Sequence, residues 1–369
     1  MLTTTDLVFE DGVESYLSAC REIAEKADNL FMFGSARGGG TVYSLLHKWK
    51  LDGKILYVVD NDKLKQGQNF HGREIISAEK LCGIFEEYKN AEVIIASGSA
   101  HVIQQQLMDM GFPENRLHPF AVTMLPTAPT PFQFLSEKKD LIDDCYKVFA
   151  DDKSRDVFIS LLNYKMTRND AWLKNIWDNE HEQYFDKVMG LRDDESFVDC
   201  GAYIGDTLEE YAAHTDGKWK DYYAFEADLD VYKILMDNIT SKGYENVYPY
   251  NIGCWDCTGE LQFEATGSGN SQIGEQGNCK IRVDTLDKVL AEKRVSVIKM
   301  DIEGAEQKAL RGAEGIIREQ GPKLAISSYH SMDDFLRIPL LLRELRPDYR
   351  IYLRHYRALT DSETICYAV

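Results

Sequence analysis

Over the first 28 residues the apolar positions recur at helical spacing. Val13, Tyr16, Leu17, Cys20 and Ile23 share one face, which predicts an amphipathic helix. The period then changes. LFMFG (30–34) reads as a buried strand ending in a glycine loop, and KILYVVDND (54–62) and AEVIIASGS (91–99) as two further strands. The intervening and following stretches, TVYSLLHKW (41–49), ISAEKLCGIFEEY (76–88) and HVIQQQLMDMG (101–111), read as helices. The second starts at Ser77, with Lys80 where a full capping box has an acid or amide. The third is closed by Gly111. Strands alternating with helices predict a parallel sheet with right-handed crossovers, so residues 1–125 are expected to form a Rossmann-like domain.

Three prolines in LPTAPTPF (125–132) mark a boundary. The following stretch, 126–190, reads as a helical bridge packed on a second domain. Its apolar faces are Leu141, Ile142, Cys145, Val148 and Phe149, then Val157, Phe158, Leu161 and Leu162, then Trp172, Leu173, Ile176 and Trp177. A second alternation fills 191–369. Strands are expected at SFVDC, DYYAFEAD, NVYPYNIGCW, SVIKM and KLAISSYH, with extended pieces at GELQFEA and KIRVDTL. Helices are expected at TLEEYAAHT, LDVYKILMDNITSKG, EQKALRGAEGIIREQG and IPLLLRELRPD. The last two apolar strands, RIYLRHY and TICYAV, flank the turn ALTDSE. A doubly wound domain that closes with such a hairpin has one antiparallel strand in its sheet. The fold class is therefore α/β, with two Rossmann-like doubly wound domains.

A chain of 369 residues with 44% apolar content suits two cores. Its 42 basic and 61 acidic residues give a net charge of −19, which repels phosphate backbones and anionic lipid surfaces. Nucleic acid and membrane partners are thus not expected. The start lacks a basic region followed by an apolar run, and no stretch approaches the roughly 20 apolar residues of a membrane span. Eight scattered cysteines fit reduced thiols, so the expected location is the cytoplasm.

The candidate chemistry centres on FVDCGAYIGDT (197–207). A strand ends near Asp199, and Gly201 and Gly205 open a tight loop before a helix whose free N–H groups face the loop. About twenty residues on, YAFEAD ends a strand at Glu226, where a carboxylate can accept both hydroxyls of a ribose. The loop is not the G-x-G-x-x-G of dinucleotide sites. Its carboxylates would repel a pyrophosphate but attract the sulfonium and ammonium of S-adenosylmethionine. Candidate cofactor contacts are Asp199, Gly201, Ala202, Tyr203, Gly205, Asp206, Thr207, Glu226, Ala227 and Asp228. MDIEGAE brings Asp301, Glu303 and Glu306 to the carboxyl edge of the sheet, although the same acids also suit the start of a helix. His330 ends the next strand on that edge and is a candidate base. In the first domain, FGSARGGGT (33–41) with Arg37 suits an anion, and Asp60 or Asp62 could accept ribose hydroxyls. Cys254 and Cys257 (CWDC) lack the second pair of a zinc site and read as ordinary thiols. Trp172, Trp177, Tyr184 and Phe185 read as packing.

FVDCGAYIGDT, AFEAD, VDTLD and VIKMDIEGAEQKALRGA, in this order, resemble the FkbM family of methyltransferases, and HEQYF (181–185) is similar to a recurring element of that family. The resemblance covers roughly 180–369. It implies a class I methyltransferase fold ending in an antiparallel hairpin. It also implies S-adenosylmethionine as cofactor and a hydroxyl of a sugar or related natural product as acceptor. By position, Asp199, Gly201 and Gly205 would line the methionine side, Glu226 would hold the ribose, and Asp301, Glu303 and Glu306 would sit at the mouth. SSYH (327–330) departs from the family, which often has an acid in this strand. The expected reaction is O-methylation of a small-molecule or glycan acceptor, with Asp301 or His330 removing its proton and Glu303 as a further candidate catalytic residue. No metal site is assigned, though the acids are compatible with a divalent ion. The N-terminal domain resembles modules of sugar-modifying enzymes and is a candidate nucleotide-sugar site. The alternatives are an NAD-dependent nucleotide-sugar oxidoreductase or epimerase, for which no Tyr-x-x-x-Lys pair is well placed, and a non-catalytic scaffold.

Overall fold

Strand Asn29–Phe33 (β1) shows why the N-terminal sheet forms: four of its five residues are buried. Leu30 and Met32 join the apolar cluster on one face, and Phe31 and Phe33 the cluster on the other. A strand so buried needs helices on both sides. The computed structural model describes all residues except 98–99, 121–129, 179, 266–271, 274–276, 278 and 359, and the side chains of Arg37, His101, Glu180, Gln272 and Ile273. The chain divides into two units: Val8–Phe134 with Lys165–Asn169, and Met1–Leu7 with Leu135–Tyr164 and Asp170–Val369.

In the first unit β1 is joined by Ile55–Val59 (β2), Asn69–Phe70 (β3), Arg73–Ile76 (β4), Ala91–Ile95 (β5) and Leu117–Pro119 (β6), in the order β3-β4-β2-β1-β5-β6. All pairings are parallel except the β3–β4 hairpin. The helices are Gly12–Lys26 (α1), Arg37–Lys48 (α2), Ala78–Ile84 (α3) and Ala100–Asp109 (α4). The helix expected over 1–28 begins only at Gly12, where the Asp11 carboxylate accepts the Val13 N–H at 3.3 Å. Helix α2 starts four residues before the expected 41 and takes in Gly38–Gly40, against their propensity. Ser77 caps α3 as expected, accepting the Lys80 N–H at 3.2 Å.

The second unit contains part of Pro131–Ser136 (α5), Lys139–Val148 (α6) and most of Asp152–Thr167 (α7). The strands of its large sheet are Ser196–Cys200 (β7), Asp221–Phe225 (β8), Val247–Tyr250 (β9), Val297–Met300, Lys323–Ser327, Ile351–His355 and Thr364–Ala368. Between β9 and Val297, the short strands Gly253–Cys254 (β10), Gly259–Glu264 (β11), Gln272–Ile273 (β12) and Cys279–Asp284 (β13) form a separate sheet, so the last four large-sheet strands are β14 to β17. The expected strand NVYPYNIGCW is thus divided between two sheets. The large sheet runs β16-β17-β15-β14-β7-β8-β9. Only β17 is antiparallel to its neighbours, which gives the class I methyltransferase arrangement with its closing hairpin. The order reverses between β7 and β14, and the crevice outside the carboxyl ends there is where such sheets bind ligands.

The helices of this unit include Asp206–His214 (α8), Leu229–Lys242 (α9), Leu286–Val289 (α10) and Glu306–Arg311 (α11), followed by Glu314–Gln320 (α12) and Met332–Leu345 (α13). EQKALRGAEGIIREQG, expected as one helix, breaks at Gly312, where a side chain's Cβ would stand 1.9 Å from the Trp255 carbonyl oxygen. Helix α13 begins six residues before the expected IPLLLRELRPD, because Ser331 caps it by accepting the Asp334 N–H at 3.0 Å. No helix of the described residues is long and apolar enough to cross a membrane.

Candidate functional site

Every residue of β7 is buried, and the chain leaves it at Gly201 with φ +83°. A Cβ here would lie 1.9 Å from the Asp301 carbonyl oxygen, so only glycine lets the loop pass so close to the end of β14. Gly201 and Ala202 donate their N–H groups to the Phe225 carbonyl at 3.0 and 2.9 Å, tying the loop to β8. Tyr203, also at positive φ, donates its N–H to Glu226 Oε2 at 3.0 Å. Glu226 Oε1 accepts the Asp228 N–H at 2.8 Å. Each Glu226 oxygen keeps a free lone pair. Burial pushes this carboxyl up to about 7, against the two backbone N–H groups that favour its charge.

These residues border an open cavity of about 630 Å³. The lining brings Gly201, Tyr203, Glu226 and Ala227 together with Asp301, Glu303 and Ala305. Ile252, Cys254, Phe263 and Ile281 supply an apolar wall. Six candidate contacts are absent from the lining. Ala202 and Thr207 are buried, and Gly205 and Asp206 border a separate hollow with Asn238 and Lys242. Asp228 is turned into α9, where it caps the Asp230 and Val231 N–H groups.

Asp199, expected along the methionine side, points into the sheet instead. Its carboxylate is wholly buried, 2.9 Å from Lys299 Nζ on the neighbouring β14, and accepts the Tyr222 hydroxyl at 2.7 Å. Lys299 also donates to the Gly201 carbonyl at 2.9 Å and lies over the Tyr184 ring. Burial opposes its charge, but Asp199 and Asp301 hold the ammonium firmly protonated. Asp199 thus anchors the base of the loop through a buried ion pair.

At the end of β14 the acids gather around His330. Asp301 accepts the Tyr184 hydroxyl at 2.7 Å and the Tyr329 hydroxyl at 3.2 and 3.3 Å. His330 Nε2 lies 3.3 Å from Asp301 and 3.9 Å from Glu303, and Nδ1 lies 3.1 Å from Glu306. Burial disfavours the Asp301 charge, but His330, Lys299 and the Tyr184 hydroxyl hold it below the usual carboxylate range. His330 is likewise disfavoured by burial, yet the acids raise it to about 9. Glu303, at φ +55°, is pushed up to about 7 by burial, with Asp301, Glu306 and Glu363 adding to the rise and His330 opposing it. The sequence reading missed Lys299, Tyr329, Gln183 and Glu363, and it placed Tyr184 in packing. Tyr184 is indeed buried, and its neighbour Phe185 stacks on Tyr211. Gln183 donates to Glu363 at 2.6 Å. The HEQYF element was the signal for Gln183 and Tyr184; its chemistry became visible only when folding laid it beside β14.

In the first unit, Asp60 accepts the Ser35 N–H at 3.1 Å and the Ser35 hydroxyl, with Lys65 at 3.4 Å. Of the two carboxylates expected to suit a ribose, Asp60 is thus bonded within its own loop, and Asp62 accepts the Leu64 N–H at 2.9 Å. The Arg37 side chain, on which the anion reading of this loop rests, lies outside the described residues. Cys254 is buried and Cys257 exposed. Among the described residues the only grouping with metal-ligand geometry is Asp301, Glu306 and His330, which excludes both thiols.

Residues 199–351 match the methyltransferase FkbM domain, and residues 26–118 match the C2185-like, N-terminal family. No curated protein matches at a significant level. Among solved structures, a methyltransferase FkbM from Methylobacillus flagellatus KT is 22% identical, with 98% of this chain and 99% of that one covered at a TM-score of 0.65, a likeness of fold. An rRNA methylase from Streptococcus thermophilus (17% identity, 51% and 92% covered, TM-score 0.33) matches over about half of this chain. So does Aeropyrum pernix fibrillarin with natively bound S-adenosyl-L-methionine (12%, 52% and 76%, 0.33). The glycine loop, Glu226 and the acidic end of β14 thus all fall within the stretch that matches the methyltransferase FkbM domain.

Proposed function

We propose that the second unit methylates a hydroxyl of a carbohydrate-like acceptor: a sugar, a polysaccharide or a glycosylated natural product. The methyl donor is S-adenosylmethionine. The observation that carries this reading is the cavity whose lining includes Gly201 and Glu226 as well as Asp301 and Glu303. The residues fit the donor. Gly201 and Tyr203 line the cavity beside Glu226, and the free lone pairs of Glu226 suit two ribose hydroxyls.

When bound, the donor supplies a methyl carbon on a positively charged sulfur. Its sulfur would keep the electron pair of the C–S bond as the acceptor oxygen takes the methyl group. The chain's work is to position the two partners and take the acceptor's proton. Three groups stand near enough for that proton. Asp301 is committed to two tyrosine hydroxyls and held ionised, and with no cation beside it His330 is kept protonated by the acids around it. Glu303 lines the cavity and titrates near 7, where a general base is most effective, so we assign the proton to it. The carboxylates of Glu226, Asp301 and Glu303 in the lining suit a polyhydroxylated acceptor. Calorimetric titration of the whole chain with S-adenosylhomocysteine, NAD and UDP-sugars is the test. Binding of the first, followed by methyl transfer to sugars but not to amines, supports the reading. Binding of NAD without S-adenosylhomocysteine sinks it.

A further inference from the structure

We propose that Asp301, Glu306 and His330 form a binding site for a divalent cation of the Mn²⁺ or Mg²⁺ class at the mouth of the cavity. One donor atom from each lies within 4.8 Å of the other two. Ligands at about 2.1 Å from one ion stand up to about 4 Å apart, so closure needs only a few tenths of an ångström. Two carboxylates and one imidazole form an oxygen-rich set that favours Mn²⁺ and Mg²⁺ over thiol-seeking metals.

Two further observations point to a missing ligand. Glu306 is completely buried. Its Oε1 accepts the Ile302 N–H at 2.8 Å, whereas Oε2 has no hydrogen-bond partner. A buried carboxylate oxygen left so is costly. Neither ring nitrogen of His330 makes an aligned hydrogen bond, although carboxylate oxygens stand 3.1 and 3.3 Å away and the side chain is only 10% exposed. An ordinary histidine–carboxylate pair aims its N–H at the oxygen. Here the donors converge without bonding one another.

The surroundings resemble the outer shell of a metal site. Tyr184 and Tyr329 donate to Asp301, and the Ile302 N–H orients Glu306. Asp301 also lines the cavity, so a cation held there would face the acceptor and could bind its oxygen. That use rests on the methyl-transfer reading; the binding itself does not.

The test uses the full chain stripped with EDTA, its fold checked by circular dichroism. Mn²⁺ is titrated by electron paramagnetic resonance and calorimetry, and S-adenosylhomocysteine binding is measured on the same samples. One Mn²⁺ per chain is expected, weakened at least tenfold in Asp301→Asn and in Glu306→Gln. Should the buried Glu306 variant fail to fold, His330→Gln takes its place. No Mn²⁺ bound at millimolar concentration, or unchanged binding in folded Asp301→Asn, overturns the cation site. S-adenosylhomocysteine binding without Mn²⁺ binding removes the cation but leaves methyl transfer standing; the reverse result removes methyl transfer alone.

Discussion

Glu226→Gln separates the charge of the carboxylate proposed to hold the ribose from its shape. In the wild-type chain the two Glu226 oxygens already accept the N–H groups of Tyr203 and Asp228, and the residue lines the cavity. A hydrogen bond to a charged group contributes about 1.5–3 kcal/mol. The amide keeps one acceptor oxygen but sets its NH₂ against a backbone N–H. At least one ribose bond is then lost, and affinity for S-adenosylhomocysteine should fall about tenfold or more at pH 8. The pH dependence is a second readout. Burial raises this carboxyl from 4.5 to about 7, so the ionised acceptor is present at pH 8 and largely lost at pH 6. Wild-type affinity should therefore drop several-fold on going from pH 8 to pH 6, while the variant stays nearly flat over that step. Calorimetry at the two pH values, on samples matched by circular dichroism, gives both numbers. A folded variant with wild-type affinity and the wild-type pH slope would refute the assignment of Glu226 to the ribose.

Three further outcomes follow from the same geometry. Glu303→Gln should lower the methyl-transfer rate on the order of 10²-fold with S-adenosylhomocysteine affinity nearly kept, measured by single-turnover transfer; a rate within twofold of wild type moves the proton to another group. Lys299→Met leaves the buried Asp199 charge unpaired at a cost of about 3–5 kcal/mol, so thermal unfolding should move down by about 10 °C, with Asp199→Asn added to it restoring part of the loss. The EDTA-stripped, ligand-free chain should be more heat-stable at pH 6 than at pH 9. Glu226, Glu303 and His330 all have raised values in the folded state, so their contribution is present at low pH and is lost as pH rises through about 7 and then about 9; a melting temperature that climbs over this range contradicts those assignments.

Much of the fold was legible because it rests on local pattern. The long apolar runs at β1, β2, β5, β7 and β14 and the capped helices lie close to their expected positions, since burial on both sheet faces demands continuous apolar sequence. The misplacements come from tertiary contacts. Gly312 breaks a helix so that the Trp255 backbone can approach, and Gly38–Gly40 are drawn into α2 against propensity. Short strands such as β3, β4 and β6 carry too few residues to show a period. Glu226, Asp301 and Glu303 meet at one cavity, as expected of strand ends that converge on one edge. Asp199 misled because an acid at the end of a strand gives no sign of which way it turns, and its partner Lys299 sits a hundred residues away inside an apolar strand. Tyr184 and Glu363 come from segments that meet β14 only in the folded chain.

The pairing of Asp199 with Lys299 also bears on how sequences of this kind can diverge. The two residues lie directly opposite each other on adjacent strands, with no solvent to shield either charge. Exchanging the two charges would preserve the attraction, but either half of the exchange alone buries two like charges side by side. Replacing both with apolar residues removes the conflict yet gives up the ammonium's hold on the Gly201 carbonyl. Single-step routes away from this pair therefore pass through poorly folded ancestors. The two codons are tied to each other's history, and lineages that depart from the pair are expected to have changed both positions together.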